Sequence, residues 1–386
     1  MTRRMPGSSS GRSVRAWILL TAGVALAVMG TPTIVEAQVH WRDFVVTVGG
    51  SAEAYTGNFS AVTVPIVDST ETANAAVAEV GVSGSLWLLQ RERTALQFIL
   101  DGGVRQAAAT GFRLRDYSPR EWAGSTSLML DQAVGSWGQF SARAGIQTRT
   151  VADRPPMPLF LQPGFTTASG ALGLYVSSVE GVLLDVEVDL ESSDYRALDF
   201  LPQLDLLDRR GVGLEAGARW GSAESRVRFF GGLRWREYQH QGSFDADDPF
   251  RRDRTLRAGL DWTRGGSVDA QLGVEGVLNR SNSNRPEYDA VRVSGLLTMD
   301  LPGSLIMNAY ALLTWKSYVH ETEFARLVPG EEADNASIAY VEVARAFAIN
   351  LDGAVRLGWT RAETDIGSAY YRRVGLSVRM NYRPRW

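Results

Sequence analysis

Apolar and polar residues alternate along most of this chain with a period of two. In the last segment Val374, Leu376, Val378, Met380, Tyr382 and Trp386 share one phase, and Arg373, Gly375, Ser377, Arg379, Asn381, Arg383 and Arg385 share the other. Successive side chains of a strand point to opposite faces, so this pattern predicts a strand with one apolar and one strongly polar face. The same alternation marks candidate strands near 43–55, 75–88, 94–106, 121–132, 138–151, 165–178, 181–195, 210–220, 225–240, 254–263, 267–279, 288–300, 304–319, 336–349, 354–365 and 370–383. Short and long connections take turns between them. The short ones, at 90–93, 134–137, 180–181, 221–224, 264–266, 301–303 and 350–353, have the Gly, Asp, Asn and Pro content of tight hairpins. The strand count is about 16, within a range of 14–18, and an even count puts both termini at the end that carries the short turns.

The aromatic residues test this arrangement independently. If odd-numbered strands run toward the long loops, Trp235, Trp315 and Trp359 sit at the loop ends of their strands, and Trp220, Trp262 and Trp386 at the turn ends. Trp235 shares its phase with Val227, Phe229 and Leu233, and Trp262 with Leu256, Ala258 and Leu260. Two rings of aromatics on the apolar face mark the two interfaces of a membrane-spanning barrel, whereas a soluble sandwich buries its tryptophans in mid-strand. In lipid every backbone N–H and C=O must be paired, so the sheet has to close. The expected fold is therefore all-β, a closed antiparallel up-and-down transmembrane barrel. A soluble two-sheet fold is the alternative, and it would have edges to protect.

Composition agrees with this picture in several ways. No stretch after residue 37 reaches the ~18 apolar residues that a spanning helix needs. Residues 1–37 have the form of a cleavable Sec-type signal peptide: Arg3, Arg4, Arg12 and Arg15 precede an apolar run from Trp17 to Met29, and Val35-Glu36-Ala37 makes a small-residue cleavage site. Cleavage after Ala37 leaves a barrel domain of residues 38–386. It removes four arginines and Glu36 from totals of 40 basic and 43 acidic residues, for a net charge of −6. So mild a balance argues against nucleic acid as a partner. The chain has no cysteine, which excludes disulfides, a thiol nucleophile and a lipoprotein acyl anchor.

The polar phase of the strands lines the expected lumen. It contributes Asp185, Glu187, Asp189 and Glu191 from segment 181–195, Arg219 from 210–220, and Arg226, Arg228, Arg234 and Arg236 from 225–240. Arg257, Asp261 and Arg379 come from farther round the wall. An acidic segment thus lies close to a basic one. Such charges set up a transverse field across a water-filled pore, or pair across strands and stiffen the wall, and the two readings coexist. The candidate constriction is the apolar, proline-rich stretch at 153–164, with Pro155, Pro156, Met157 and Phe160; it folds into the mouth or packs on a neighbouring loop. Segment 196–210, with Leu207 among its leucines, is a second candidate cap.

Enzymatic signals are poor. His240 and His320 fall at the outer ends of two strands, and no Gly-x-Ser-x-Gly motif is present. Asp245, Asp247 and Asp248, and Glu331, Glu332 and Asp334, lack the spacing of a Ca²⁺ loop. No cofactor is called for.

A polar/apolar terminal strand ending on an aromatic, as at Arg372 to Trp386, resembles bacterial outer-membrane β-barrel proteins of the porin-like superfamily. The resemblance implies location in a Gram-negative-type outer membrane, contact with outer-membrane lipid and lipopolysaccharide, and recognition of the C-terminal strand by the barrel-assembly machinery. It implies a channel or transporter passing polar solutes through a charged lumen. Residues 279–289 also resemble, weakly, the barrels of exopolysaccharide export proteins, which implies export with a separate periplasmic partner. The competing class is a non-transporting barrel, a surface lipid-modifying enzyme or an anchor whose loops bind something outside. Cargo and oligomeric state are not legible.

Overall fold

The computed structural model describes residues 40–57, 71–111, 118–152, 164–179, 181–196, 207–222, 224–243, 247–283, 287–319, 336–363 and 370–384. They form sixteen strands: β1 (His40–Gly57), β2 (Glu71–Gln90), β3 (Thr94–Gly111), β4 (Arg120–Val134), β5 (Gly138–Ala152), β6 (Phe165–Val179), β7 (Val182–Tyr195), β8 (Arg209–Gly221), β9 (Ser225–Gly242), β10 (Phe250–Arg264), β11 (Val268–Ser281), β12 (Tyr288–Leu301), β13 (Leu305–Tyr318), β14 (Ala336–Ala348), β15 (Leu351–Glu363) and β16 (Tyr370–Tyr382). Each strand pairs antiparallel with its sequence neighbours, and β16 pairs with β1, so the sheet is a closed barrel. The seam runs from Val46↔Tyr382 to Gly57↔Tyr371.

Alternation decides which residues face in. On β7, Leu184, Val186 and Val188 are exposed, while Asp185 between them is only 5 % exposed. In a single-layer cylinder a charged side chain can be buried only on the inside, so odd positions of β7 point inward. Register carries the assignment round the wall: Asp185 pairs with Gly217, Glu215 with Gly232, Arg228 with Asp261, Glu275 with Arg292, and Glu342 with Arg356. The outer face is apolar, with Phe229, Leu256, Leu272, Val274, Leu357, Leu376 and Val378 all exposed. Tryptophans border this surface. Trp220, at 67 % exposure, lies at the turn end of β8, and Trp122, Trp235 and Trp315 lie exposed on the outer face toward the loop ends. Trp262 and Trp359 occupy the same face, half-buried, at the turn end of β10 and the loop end of β15.

The turn end is tightly made. Only Pro302, Gly303 and Ser304 separate the paired Leu301 and Leu305, and Gly303 and Ser304 both have positive φ (82° and 59°), the sense of bend that matches the twist of two joined strands. Register shifts are confined to strand ends, as between Trp41 and Asp43 or Phe250 and Arg251. There a bulge ends regular pairing without disturbing mid-strand alternation. Residues 1–39, the 153–163 stretch and Trp386 lie outside the described residues.

Because β16 lies between β15 and β1, Leu376 has a ladder partner on each side. Leu376→Pro removes an N–H from a fully paired strand and is expected to cost ~3 kcal/mol or more. Leu376→Ala leaves the ladder intact. Urea unfolding in detergent micelles, followed by tryptophan fluorescence, should show a lower midpoint or no folded barrel for the proline variant alone.

Candidate functional site: the charged lumen

The inner wall of β7 to β12 carries one connected ionic lattice with separate ion pairs beside it. Arg228 on β9 places Nη2 at 2.6 Å from Asp185 Oδ2 and 2.6 Å from Glu215 Oε1, and its Nε donates to Asp185 Oδ1 at 3.2 Å. Glu215 offers its other oxygen to Arg257 on β10. Arg257 lies 3.9 Å from Glu275 on β11, which lies 3.7 Å from Arg292 on β12. Arg219 joins Asp185 at 3.2 Å, and Asp261 stands 3.9 Å from Arg228. Farther toward the loops Arg234 meets Asp189 at 2.7 Å and Arg209 meets Glu191 at 2.8 Å. Arg143 on β5 reaches Glu187 at 3.8 Å.

Asp185 and Arg228 are not on neighbouring strands, since β8 runs between them. Their contact exists because the inward phase of β8 is largely glycine. A Cβ on Gly217 would lie 2.9 Å from both Arg228 Nε and Asp185 Oδ2, and one on Gly213 would collide with the Asp189 carboxylate. The glycines leave a trough across which arginines of β9 reach carboxylates of β7. Charge-assisted bonds of this kind are the strong ones, and in a low-dielectric wall they fix side chains that would otherwise be mobile.

Two smaller lattices complete the wall. Glu53 on β1 accepts from Arg105 on β3 at 3.1 Å and from the Tyr55 hydroxyl, with Glu79 3.7 Å from Arg105 and Arg373 of β16 4.0 Å from Glu53. Glu342 on β14 is held by Arg356 at 2.8 Å and by Arg379. Arg356 also lies over the Tyr340 ring at 4.1 Å, and Tyr340 packs on Tyr310 with ring centroids 5.4 Å apart.

The two ends of the lumen differ. Toward the loops its lining is buried: Arg251, 2 % exposed, makes two bonds to Asp253 and one to Gln241, and lies 3.9 Å over the Tyr238 ring. Val277, Tyr288 and Ala290 form a buried cluster on the same side, and Leu207, just before β8, is the most deeply buried large side chain among the described residues. Toward the turns the lining is open. A cavity of about 540 Å³ is bordered there by Asp131, Gln139, Arg143, Tyr175, Glu187 and Arg219. The side chains of Arg143 and Asp261 are 58 % and 44 % exposed.

No family model matches the chain, and neither does any curated protein. Solved structures do match. OccK7 of Pseudomonas aeruginosa is 11 % identical, with 89 % of this chain and 99 % of that one covered at a TM-score of 0.43. The monoaromatic hydrocarbon channel TodX, as a deletion mutant, is 8 % identical over 89 % and 91 %, with a TM-score of 0.40. A bacterial polysaccharide outer membrane secretin is 9 % identical over 88 % and 98 %, with a TM-score of 0.39. None of them bears on what this lumen holds.

The inward charged residues named from the sequence stand on the inner phase of their strands. Asp185, Arg219, Arg228, Arg257 and Asp261 fall in one cluster, and Asp189 with Arg234, and Glu191 with Arg209, form separate pairs. Arg236 lies along Gly211. Arg226 stands at the turn mouth, where its Nε donates to the Ser222 carbonyl at 3.0 Å, and Arg379 belongs to the Glu342 cluster. Pro155, Pro156, Met157, Phe160, His320 and the acids at 331–334 lie outside the described residues. His240 is exposed at the loop end of β9, 3.6 Å from Asp208; Asp248 pairs with Arg252 at 2.9 Å. Sequence reading missed the glycine trough of β8, the Glu53 cluster and the buried Arg251. The trough had a signal, since Gly211, Gly213 and Gly217 share the phase of Glu215 and Arg219. The Arg251 cluster had one too, since Arg251 and Asp253 share the phase of Arg257 and Asp261, but the expected strand began only at residue 254.

Gly217→Val should separate Arg228 from Asp185 and lower stability by about 3 kcal/mol, the scale of breaking a buried ion pair. A Cβ on Gly231, on the outer face, would meet nothing closer than 3.8 Å, and Gly231→Val should be near neutral. Denaturation midpoints of the two variants measured side by side decide the matter.

Proposed function

We propose that this chain is an outer-membrane channel for polar solutes, its apolar outer face in lipid and its charged inner face in water. The observation that carries the reading is the exposure of Arg143 and Asp261 on the inside of a closed cylinder, which means water-filled space beside the lattice. Sixteen strands give a bore wide enough for an aqueous path. The strands are 13–20 residues long, beyond the ~9–11 residues of a tilted spanning strand. Short turns and both barrel termini then face the periplasm and the long connections face outward, as the even strand count requires.

Pairing does not silence the lattice. Charges fixed by partners still present a patterned potential to a solute passing the open vestibule, where Glu187, Asp261, Arg143 and Arg219 lie within reach. The buried Arg251 and Tyr238 layer narrows the loop side, so selection by size belongs to that end and selection by charge to the other.

The refolded chain in a planar bilayer should show discrete conductance steps. Asp261→Asn combined with Glu187→Gln should shift the reversal potential in a salt gradient toward anion preference. A barrel that inserts but stays silent at every voltage sinks the channel reading. Insertion is tested separately by Val186→Arg, on the outer face of β7 midway between the rungs of Trp220 and Trp235: an arginine in the hydrocarbon costs ~2–4 kcal/mol near the bilayer midplane. That penalty should appear as a lower unfolding midpoint in lipid vesicles, and an unchanged midpoint there counts against insertion.

A further inference from the structure

The outer face carries a feature that the lumen does not explain. On β10 and β11 the outward residues pair in rungs: Arg254 with Arg280, Leu256 with Leu278, Ala258 with Gly276, and Leu260 with Val274. The Ala258–Gly276 rung is the floor of a groove of about 580 Å³ on the barrel surface, walled by Leu256 and Leu278 above and by Val291 and Trp315 to the side. Among the described residues nothing fills it: a Cβ on Gly276 would meet no atom nearer than 3.9 Å.

Two rungs above that floor, two arginines face each other on the same surface. Like charges directly opposite across strands are destabilising. Arg280 is partly satisfied, with Asp289 at 2.7 Å and the carbonyls of Asn279 and Tyr288. Arg254 is exposed and makes no ion pair among the described residues. Arg252, one rung further, pairs with Glu237 at 3.1 Å and Asp248 at 2.9 Å. The unmet charge is therefore concentrated at Arg254 and on the free edge of Arg280.

We infer that this is a binding site for one phosphorylated lipid of the loop-side leaflet, its phosphate between Arg254 and Arg280 and an acyl chain in the groove over Ala258 and Gly276. The inference rests on the membrane reading above. Guanidinium forks suit phosphate oxygens, and an anion between the two arginines turns their repulsion into attraction. The rungs set the order correctly: at about 3.3 Å per residue, the four residues from Ala258 to Arg254 put the charged pair ~13 Å above the apolar floor, as headgroup stands above chain. Small residues in the floor give a chain a place that a smooth wall of leucines would not.

The test uses the full barrel purified in detergent, lipid A bearing phosphates, and lipid A stripped of them, with bound lipid counted by native mass spectrometry. Phosphorylated lipid A should be retained and the stripped form lost. Arg254→Gln with Arg280→Gln should weaken retention about fivefold per arginine. Gly276→Leu, whose Cβ meets no atom nearer than 3.9 Å and whose side chain takes up groove space, should weaken it while leaving both arginines in place. Equal retention of the two lipids, or wild-type retention in both variants, overturns the proposal. So does a wild-type dimer that Gly276→Leu converts to monomer, because the groove is then occupied by a second copy. Flotation with vesicles separates the two readings: a barrel that fails to float loses the membrane reading as well, whereas one that floats and conducts but ignores lipid phosphate loses this site alone.

Discussion

Closure of the hydrogen-bonded ladder governs everything else in this molecule. A single sheet rolled until its first strand meets its last has no edge, and each residue along a strand then has only two places to put its side chain. With one place facing out and one facing in, a period of two in the sequence becomes a partition of chemistry in space. There is no helix layer and no second sheet among the described residues to absorb exceptions. The wall itself must supply both an apolar outer surface and a stable arrangement for the charged groups inside.

That second task is met by pairing at different ranges. Neighbouring strands supply some partners, as Glu342 and Arg356 do. Others reach across an intervening strand, as Arg228 does over the glycines of β8. The longer reach matters because the carboxylates of β7 stand in a row and repel one another, and β8 has too few cations of its own to neutralise them. Removing side chains from the middle strand is what lets the outer two communicate.

The strand pattern and its phase were legible because they follow from local alternation. The closed antiparallel barrel of about sixteen strands, expected from the alternating segments and the long and short connections between them, is the one observed, and the turn positions follow the Gly, Asn, Asp and Pro clusters closely. Boundaries slipped by a few residues where bulges end a strand. What escaped the sequence was anything set by register between strands that are not adjacent in the chain, such as which arginine meets which carboxylate. The Arg254–Arg280 rung escaped although β10 and β11 are joined by a short turn: each residue alone reads as an ordinary interface arginine, and only the ladder shows them opposed. The shape of the loop mouth escaped because the connections carry no periodicity from which to reason.

The seam between β1 and β16 has a consequence for assembly. Thr47 donates to Asn381, a partner 334 positions away in the chain. Until that far segment arrives, a growing sheet presents two raw margins, each able to recruit a stranger. Contacts between the chain's extremes are slow to form because the intervening length must first be brought together. Zipping at this seam is therefore the slowest pairing the ladder offers, and both margins stay open until it is made.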